Sequence, residues 1–181
     1  MGRDKASLEL GGSRFLERIA RQLREVAKSV RTVGAKEAAG DLPNVADVYK
    51  SWGALGGLHA ALNACRAEWA AVVACDLPFI TGELFVRLAL LRENFDVVIP
   101  VQPDGRVQPL CALYRKAACL RVARTLIETG ERRPRALIEH TRTRRVAPQE
   151  LADLPGAHLF FTNVNTPEDY EEARKAVTSD G

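Results

Sequence analysis

Long apolar runs, a signal-like start and paired cysteine spacings are all missing from this sequence of 181 residues. No stretch approaches the ~20 apolar residues of a membrane-spanning helix. No charged n-region leads into an apolar h-region, so neither a membrane span nor a secretory leader is expected. Cysteine occurs only at Cys65, Cys75, Cys111 and Cys119. With no CxxC spacing and apolar neighbours, these argue for buried free thiols in a reducing cytoplasm and against a disulfide framework. The three histidines are scattered away from the cysteines, which argues against a structural zinc. A surplus of positive charge is lacking too. With 26 basic against 23 acidic residues and a net charge of +3, the basic face of a non-specific nucleic-acid binder is not expected.

What remains is one globular domain. An apolar fraction of 46% and a mean hydropathy of -0.14 are those of an ordinary soluble protein. No internal repeat, low-complexity tract or Pro/Gly/Ser-rich linker divides the chain. Helical spacing begins at Phe15, with Ser13 placed to cap it, and runs to Val26. Ser29–Val33 and Val45–Val48 read as short strands, and Leu55–Cys65 as an alanine-rich helix. Trp69–Cys75 is continuously apolar, as strands covered on both faces are, and Phe95–Val101 reads as another buried strand. Thr81–Glu93 reads as helix, and Gln108–Tyr114 as a strand returning across the Pro103-Asp104-Gly105 turn. Helices follow at Lys116–Glu128 and Arg135–His140, then strands at Thr143–Val146 and His158–Phe161. Thr166-Pro167-Glu168-Asp169 opens a last helix, with a capping threonine, proline at the first position and acids in the first turn. The alternation predicts an α/β layered, mostly parallel sheet, with ligands outside the carboxyl ends of its strands.

Three motifs fall at such ends. In Ala74-Cys75-Asp76-Leu77-Pro78 an aspartate closes a buried strand and presents the hard oxygens that hold Mg²⁺ beside a polyphosphate. An isolated Asp-x-Pro also serves as a helix cap or turn. Trp52-Gly53-Ala54-Leu55-Gly56-Gly57 opens a helix just after Asp47. Its bare backbone admits a flat ring or phosphate, or equally a tightly packed turn. In Asn163-Val164-Asn165 the two amides share one side of an extended segment and could read a polar heterocycle or anion, or make Asx turns. The chain itself opens Gly2-Arg3-Asp4-Lys5, an ammonium beside glycine that reads as half of a phosphate-binding loop or as a solvated tail.

In this order the motifs resemble the molybdenum cofactor guanylyltransferase (MobA-type) family over essentially the whole chain. Met1–Ala6 resembles the end of the family's glycine-rich Leu-Ala-Gly-Gly…Arg-Met-Gly-x-Asp-Lys signature. Gly53–Gly57 is similar to its Gly-Pro-Leu-Ala-Gly turn, and Cys75–Pro78 to its metal-binding aspartate segment. Gln108-Pro109-Leu110, Gly130-Glu131-Arg132-Arg133 and Asn163–Pro167 follow as later landmarks. The resemblance implies a three-layer α/β/α Rossmann-like nucleotidyltransferase fold in a single domain, 1–181. It implies transfer of GMP from GTP to the phosphate of Mo-molybdopterin, releasing pyrophosphate. It places Lys5 on the phosphates, Asp47, Gly53 and Gly56 around the nucleotide, Asp76 on Mg²⁺, and Asn163 and Asn165 on the pterin substrate. Arg133, in the Arg132–Arg135 cluster, is a candidate for the acceptor's phosphate, as are the arginines at 142–145. Molybdenum-insertion proteins and apo-molybdoenzymes are the implied further partners. A pterin cytidylyltransferase, another small-molecule nucleotidyltransferase and a non-catalytic paralogue are the alternatives.

The resemblance carries two departures. Gly34 stands where the family commonly has asparagine. The family's first strand and Leu-Ala-Gly-Gly loop have no counterpart ahead of Met1, which is the single methionine of the chain. A native start upstream by on the order of 10–20 residues is therefore expected. Each ladder group left unpaired would cost about 1–3 kcal/mol, so the chain as written is expected to fold poorly and bind GTP weakly.

Overall fold

The computed structural model describes residues 9, 10, 12–35 and 40–179, with side chains only as far as 175. A hairpin of β1 (Glu9–Leu10) and β2 (Ser13–Arg14) leads into α1 (Phe15–Val26). Ser13 does not cap α1, because it pairs with Leu10 in the hairpin and the helix starts one residue later. The Glu17 carboxylate accepts the Arg14 amide instead, at 3.1 Å. β3 (Thr32–Val33) and β4 (Asn44–Val45) form a separate parallel pair, and α2 (Gly53–Ala64) follows.

The main sheet is built from β5 (Trp69–Val73), β6 (Val97–Pro100), β7 (Cys111–Arg115) and β8 (Thr143–Val146). α3 (Gly82–Leu90) links β5 to β6, while α4 (Lys116–Glu128) and α5 (Pro134–Glu139) lie between β7 and β8. The strand order is β5-β7-β6-β8. β7 is antiparallel to both its neighbours and β6 is parallel to β8. Three of the four strands thus run one way, as the alternation predicts, and the returning β7 is the strand expected after the Asp104-Gly105 turn. The chain ends in α6 (Pro167–Ser179). Its start is the expected one: the Asp169 amide donates to the Thr166 hydroxyl at 3.1 Å, and the Asp169 carboxylate accepts the Thr166 amide at 2.9 Å.

Strand periodicity of two sorts the core into two slabs. Val97, Ile99, Ala112 and Tyr114 face one way and meet Leu55, Leu58 and Leu62 of α2, with Ala123 and Ile127 of α4. Val98, Cys111 and Leu113 face the other way and meet Ile19 and Leu23 of α1, with Leu84 and Leu88 of α3. Helices cover both faces, which makes the fold a three-layer α/β/α sandwich. Complete burial of an aliphatic side chain contributes about 1.5–3 kcal/mol, so both slabs matter to stability.

Two expectations about burial need correction. β5 is half-buried throughout, whereas every residue of β6 is buried. Among the described residues β5 pairs on one edge only, with β7, while β6 has a strand on each side. Of the four free cysteines, Cys111 and Cys119 are buried, but Cys75 is exposed because it lies beyond the end of β5. A third difference is structural. Residues 158–161 make no strand: Gly156, with φ of 69°, starts a 3₁₀ turn (Ala157–Leu159) that tucks Phe160 and Phe161 against the core through local bonds.

His59 of α2 is 2% exposed, and neither ring nitrogen has a hydrogen-bond partner among the described residues. Its ring meets Tyr49 edge-on at 4.8 Å. Burial, and secondarily the Arg124 charge, hold its pKa below the usual 6.5. The unfolded chain therefore takes up a proton near pH 6.5 that the folded chain refuses. The contribution to stability is complete above that pH and is lost as pH falls, with a slope of at most about 1.4 kcal/mol per pH unit for one proton. His59→Leu is expected to flatten the fall in urea midpoint between pH 7 and pH 5 and to leave the pH 7 midpoint at or above wild type.

Candidate functional site

Two of the candidate site residues, Asp76 and Asn163, meet at the carboxyl end of β5. The strand stops at Val73, and the Ala74 amide donates to the Leu110 carbonyl at 2.7 Å. Two residues on, the Asp76 carbonyl accepts the Val164 amide at 3.1 Å. These two bonds bring together segments distant in sequence and enclose a pocket of about 270 Å³. Asp76 and Asn163 line it, with Gln108 and Pro109 on the return to β7 and Ala54 and Pro134 at the starts of α2 and α5. The hydroxyl of buried Tyr114 donates to the Pro109 carbonyl and fixes that wall from beneath.

Asp76 is half-buried, and among the described residues its side chain has no hydrogen-bond or ion-pair partner. No group of three or more His, Cys, Asp or Glu there is arranged for a metal ion. Mg²⁺ commonly shares its shell among one or two carboxylates, waters and substrate phosphates. A lone carboxylate on an open pocket fits that use, and does not fit an all-protein metal cage.

Asn163 and Asn165 do flank a buried residue, Val164, and both are exposed. Asn163 lines the pocket, while the Asn165 amide donates to Asp169 at the start of α6, at 2.8 Å. Asp47 stands apart from this pocket, just past β4. Its Oδ1 is buried without a partner among the described residues, and its Oδ2 lies 3.4 Å from the point a Cβ at position 34 would occupy. Lys5 lies outside the described residues.

The glycine turn divides into two uses. Gly53 has a φ of 64°, is exposed and has nothing within 4 Å of an added Cβ, so backbone there is open to a ligand. Gly56 is buried, and a Cβ on it would lie 2.8 Å from Cβ of Trp52 and 3.2 Å from the Tyr49 carbonyl. Its bareness lets Trp52 pack.

Trp52, which heads that turn, has a role its motif does not announce: it joins the turn to the loop at 131–132. Its indole N–H donates to the Glu131 carbonyl at 2.8 Å, and Arg132 stacks over its ring at 4.7 Å. The Leu55 amide in the first turn of α2 donates to the Arg132 carbonyl at 3.3 Å. Glu131 in turn accepts both the Arg132 and Arg133 amides and pairs with the Arg133 guanidinium at 2.9 and 2.7 Å. Arg133, a candidate for the acceptor's phosphate, is thus engaged by its own neighbour. The signal in the sequence was an acid, Glu131, directly ahead of the Arg132–Arg135 cluster; its contact with Trp52, 79 residues away, is set by the fold.

Residues 1–146 match the family described as the MobA-like NTP transferase domain. The probable molybdenum cofactor guanylyltransferase of Pelotomaculum thermopropionicum is 34% identical over 177 residues, 96% of this chain and 85% of that one. Its counterpart in Carboxydothermus hydrogenoformans is 31% identical over 180 residues, 97% and 89% of the two chains. Among solved structures, molybdopterin-guanine dinucleotide biosynthesis protein A from Archaeoglobus fulgidus superposes with a TM-score of 0.81 at 22% identity, over 98% of this chain and 92% of that one. The 2-C-methyl-D-erythritol 4-phosphate cytidylyltransferase of Thermus thermophilus shares the fold, with a TM-score of 0.72 at 18% identity over 96% and 94%.

Hydrogen bonds from Arg133, first from its side chain and then its amide, hold the Glu131 carboxyl down at about 2, with the Arg132 amide adding to them. A depressed carboxyl contributes its stabilisation above the unfolded value near 4.5 and loses it as pH falls toward 2. The loop's grip on Trp52 is expected to persist to pH 4.5 and weaken below it. Glu131→Gln is expected to release it already at neutral pH, read as a red shift and greater quenching of the Trp52 emission in a background where Trp69 is replaced by Phe.

Proposed function

Because the chain belongs to the MobA-like NTP transferase family, we propose that it transfers GMP from GTP to the terminal phosphate of molybdopterin. The observation that carries this reading is the meeting of Asp76 and Asn163 on one pocket at the carboxyl end of β5. That is the edge where open α/β sheets bind their ligands.

In this reaction an acceptor phosphate oxygen attacks the α-phosphorus of GTP. A new P–O bond forms, the bond to the β-phosphate oxygen breaks, and pyrophosphate leaves. The nucleophile is already an anion, so no side chain has to remove a proton. The protein's task is to align two polyanions and offset their charge. Asp76 would hold Mg²⁺ against the triphosphate; the ion, when bound, draws charge from the phosphate oxygens. The Asn163 amide donates to the acceptor side of the pocket, with Gln108 opposite. The orphan Oδ1 of Asp47 gives an acceptor for a ribose hydroxyl or base N–H. Exposed Gly53 backbone lies where the nucleotide passes the start of α2. Lys5 is assigned the pyrophosphate side, and Asn165 and Arg133 the outer margin of the acceptor. The guanine-dinucleotide product would pass to molybdenum-insertion proteins and apo-molybdoenzymes in the cytoplasm. No helix among the described residues is long and apolar enough to cross a membrane.

Asp76→Ala is expected to lower kcat for GTP-dependent pyrophosphate release at least about 100-fold at saturating Mg²⁺, near 3 kcal/mol of transition-state stabilisation. The melting temperature should move by no more than a few degrees, because the backbone of Asp76, and not its side chain, bonds Val164. Turnover of GTP well above that of CTP is expected in the same assay. Near-wild-type turnover by the variant would remove Asp76 from the mechanism.

A further inference from the structure

His59 is a buried polar group that the transferase chemistry leaves unused. It lies on α2, 2% exposed, with both ring nitrogens unpartnered among the described residues. Its ring meets that of Tyr49 edge-on, with centroids 4.8 Å apart and planes at 77°. Tyr49 belongs to the segment between β4 and α2, which carries Asp47 and leads into Trp52 and Gly53.

Ala46, Val48, Lys50 and Ser51 of that segment are exposed, whereas Tyr49 is partly buried against the core. The Tyr49 ring is therefore the segment's apolar anchor, and His59 is part of its seat. The backbone beyond it needs an anchor. Ser51 sits at a φ of 60°, a left-handed conformation that a residue with a side chain keeps only when its surroundings hold it. The Tyr49 carbonyl accepts the Trp52 amide at 3.3 Å and lies 3.2 Å from the point a Cβ on Gly56 would occupy. At the other end, the Gly34 amide donates to the Val45 carbonyl at 3.0 Å.

The surroundings of His59 suit a neutral ring. β3, β4 and β5, which pack near α2, carry no titratable residue, and α2 has none besides His59. On α4, Cys119 is a neutral thiol in the same slab, and Arg124 is the charge that acts on the imidazole. It opposes a second positive charge. The Arg135 and Glu139 side chains of α5 are exposed and pair with each other at 3.2 Å. A proton on His59 would thus meet burial and repulsion, with no hydrogen-bond acceptor at either nitrogen among the described residues.

We infer that His59 is a positioning residue for the nucleotide side of the site: its neutral imidazole seats Tyr49, and with it the segment from Asp47 to Gly53, and protonation of the ring releases that segment. That the segment meets a nucleotide rests on the transferase reading; that His59 seats it does not. A released imidazole titrates near its ordinary pKa of about 6.5, while the seated ring refuses the proton. Release is therefore insensitive to pH well above that value and grows about tenfold for each pH unit below it.

The test is amide hydrogen exchange on the full chain without ligand, at pH 7.5 and pH 5.5, each rate divided by its intrinsic rate. The Gly34 and Trp52 amides report the two ends of the segment. The Thr162 amide, bonded to the Leu159 carbonyl at 2.9 Å, is the control, and the Val101 amide, bonded to the Val146 carbonyl, reports opening of the main sheet. In wild type, protection at Gly34 and Trp52 is expected to fall about tenfold at the lower pH and to stay below that of Val101, with Thr162 held within about twofold. His59→Phe keeps a ring against Tyr49 and cannot titrate, so its protection should agree within about twofold at the two pH values; the smaller His59→Leu should be equally insensitive to pH. His59→Ala should lose protection at both, with no further loss in acid, and a melting curve at pH 7.5 confirms that each variant folds. Unchanged wild-type protection would overturn the proposal, as would an equal acid loss in His59→Phe and His59→Leu. Protection at Gly34 and Trp52 equal to that of Val101 would do the same, because the opening would then be global. Titration with GTP and Mg²⁺ at pH 7.5 carries the inference to the site: His59→Ala is expected to weaken the Kd at least about fivefold and His59→Phe to restore it within about twofold. If exchange behaves as stated and wild type binds no GTP, the transferase reading fails and the seating of the segment stands. If wild type binds GTP and His59→Ala binds it equally well, the positioning role fails and the transferase reading stands.

Discussion

A single backbone hydrogen bond, from the Val164 amide to the Asp76 carbonyl, sets the geometry of the candidate site. It ties the segment ahead of α6 to the end of β5. With the Ala74–Leu110 bond beside it, it brings three stretches of chain around one pocket. Val164, fully buried, is what holds that segment in place; the flanking Asn163 and Asn165 are exposed because a strand-like segment alternates its side chains. Among the described residues the carboxylate of Asp76 is then presented without a partner. A buried apolar anchor thus sets the position of polar groups on either side of it.

The layering was legible from the residues. Continuous apolar runs at 97–101, the return after the Asp104-Gly105 turn and the Lys116–Glu128 helix all correspond to elements of the sheet and its cover. Periodicity reports which face of a segment is buried, and the slabs follow from it. What was not legible was anything set by a partner distant in sequence. Ser13 carries a capping side chain, yet a two-residue hairpin claims it. Residues 158–161 have the apolar content of a strand, but Gly156 turns the backbone so that the bonds close locally. Asp76, Asn163 and Ala54 were each visible as motifs; only the fold places them on one cavity.

The arginines show the same limit more sharply. The two basic clusters, at 132–135 and 142–145, look alike in composition. Glu131 engages Arg133, Trp52 carries Arg132, Asp96 pairs with Arg142 and Glu150 with Arg144. The Arg142 pair ties the start of β8 to that of β6, the pairs of Arg133 and Arg144 are local, and surface pairs of this kind contribute little energy each. Their effect is on availability. Among the described residues, Arg145 then keeps its whole fork, and Glu139 meets Arg135 through Nε alone. Which arginine can greet an anion is decided by which carboxylate is adjacent, and charge counting along the sequence does not see it.

The titratable groups of the interior point to the same kind of chemistry. Burial pushes the Cys111 and Cys119 thiols up to about 12, so neither is a nucleophile at neutral pH. The Tyr114 hydroxyl is committed to the Pro109 carbonyl. His59 is buried among apolar neighbours and kept neutral, away from the pocket. None of these groups is poised to carry a proton between substrates, and joining a phosphate anion to a nucleotide does not ask for one. The rate must then come from placement and charge compensation, and placement depends on the bonds at Ala74 and Asp76 and on the wall that Tyr114 props. In a site of this kind a displacement of the Gln108–Leu110 wall by an ångström costs turnover without touching any group that meets the phosphates. On the proposed reading Tyr114 and Val164 are therefore exacting for activity, although their side chains lie in the core.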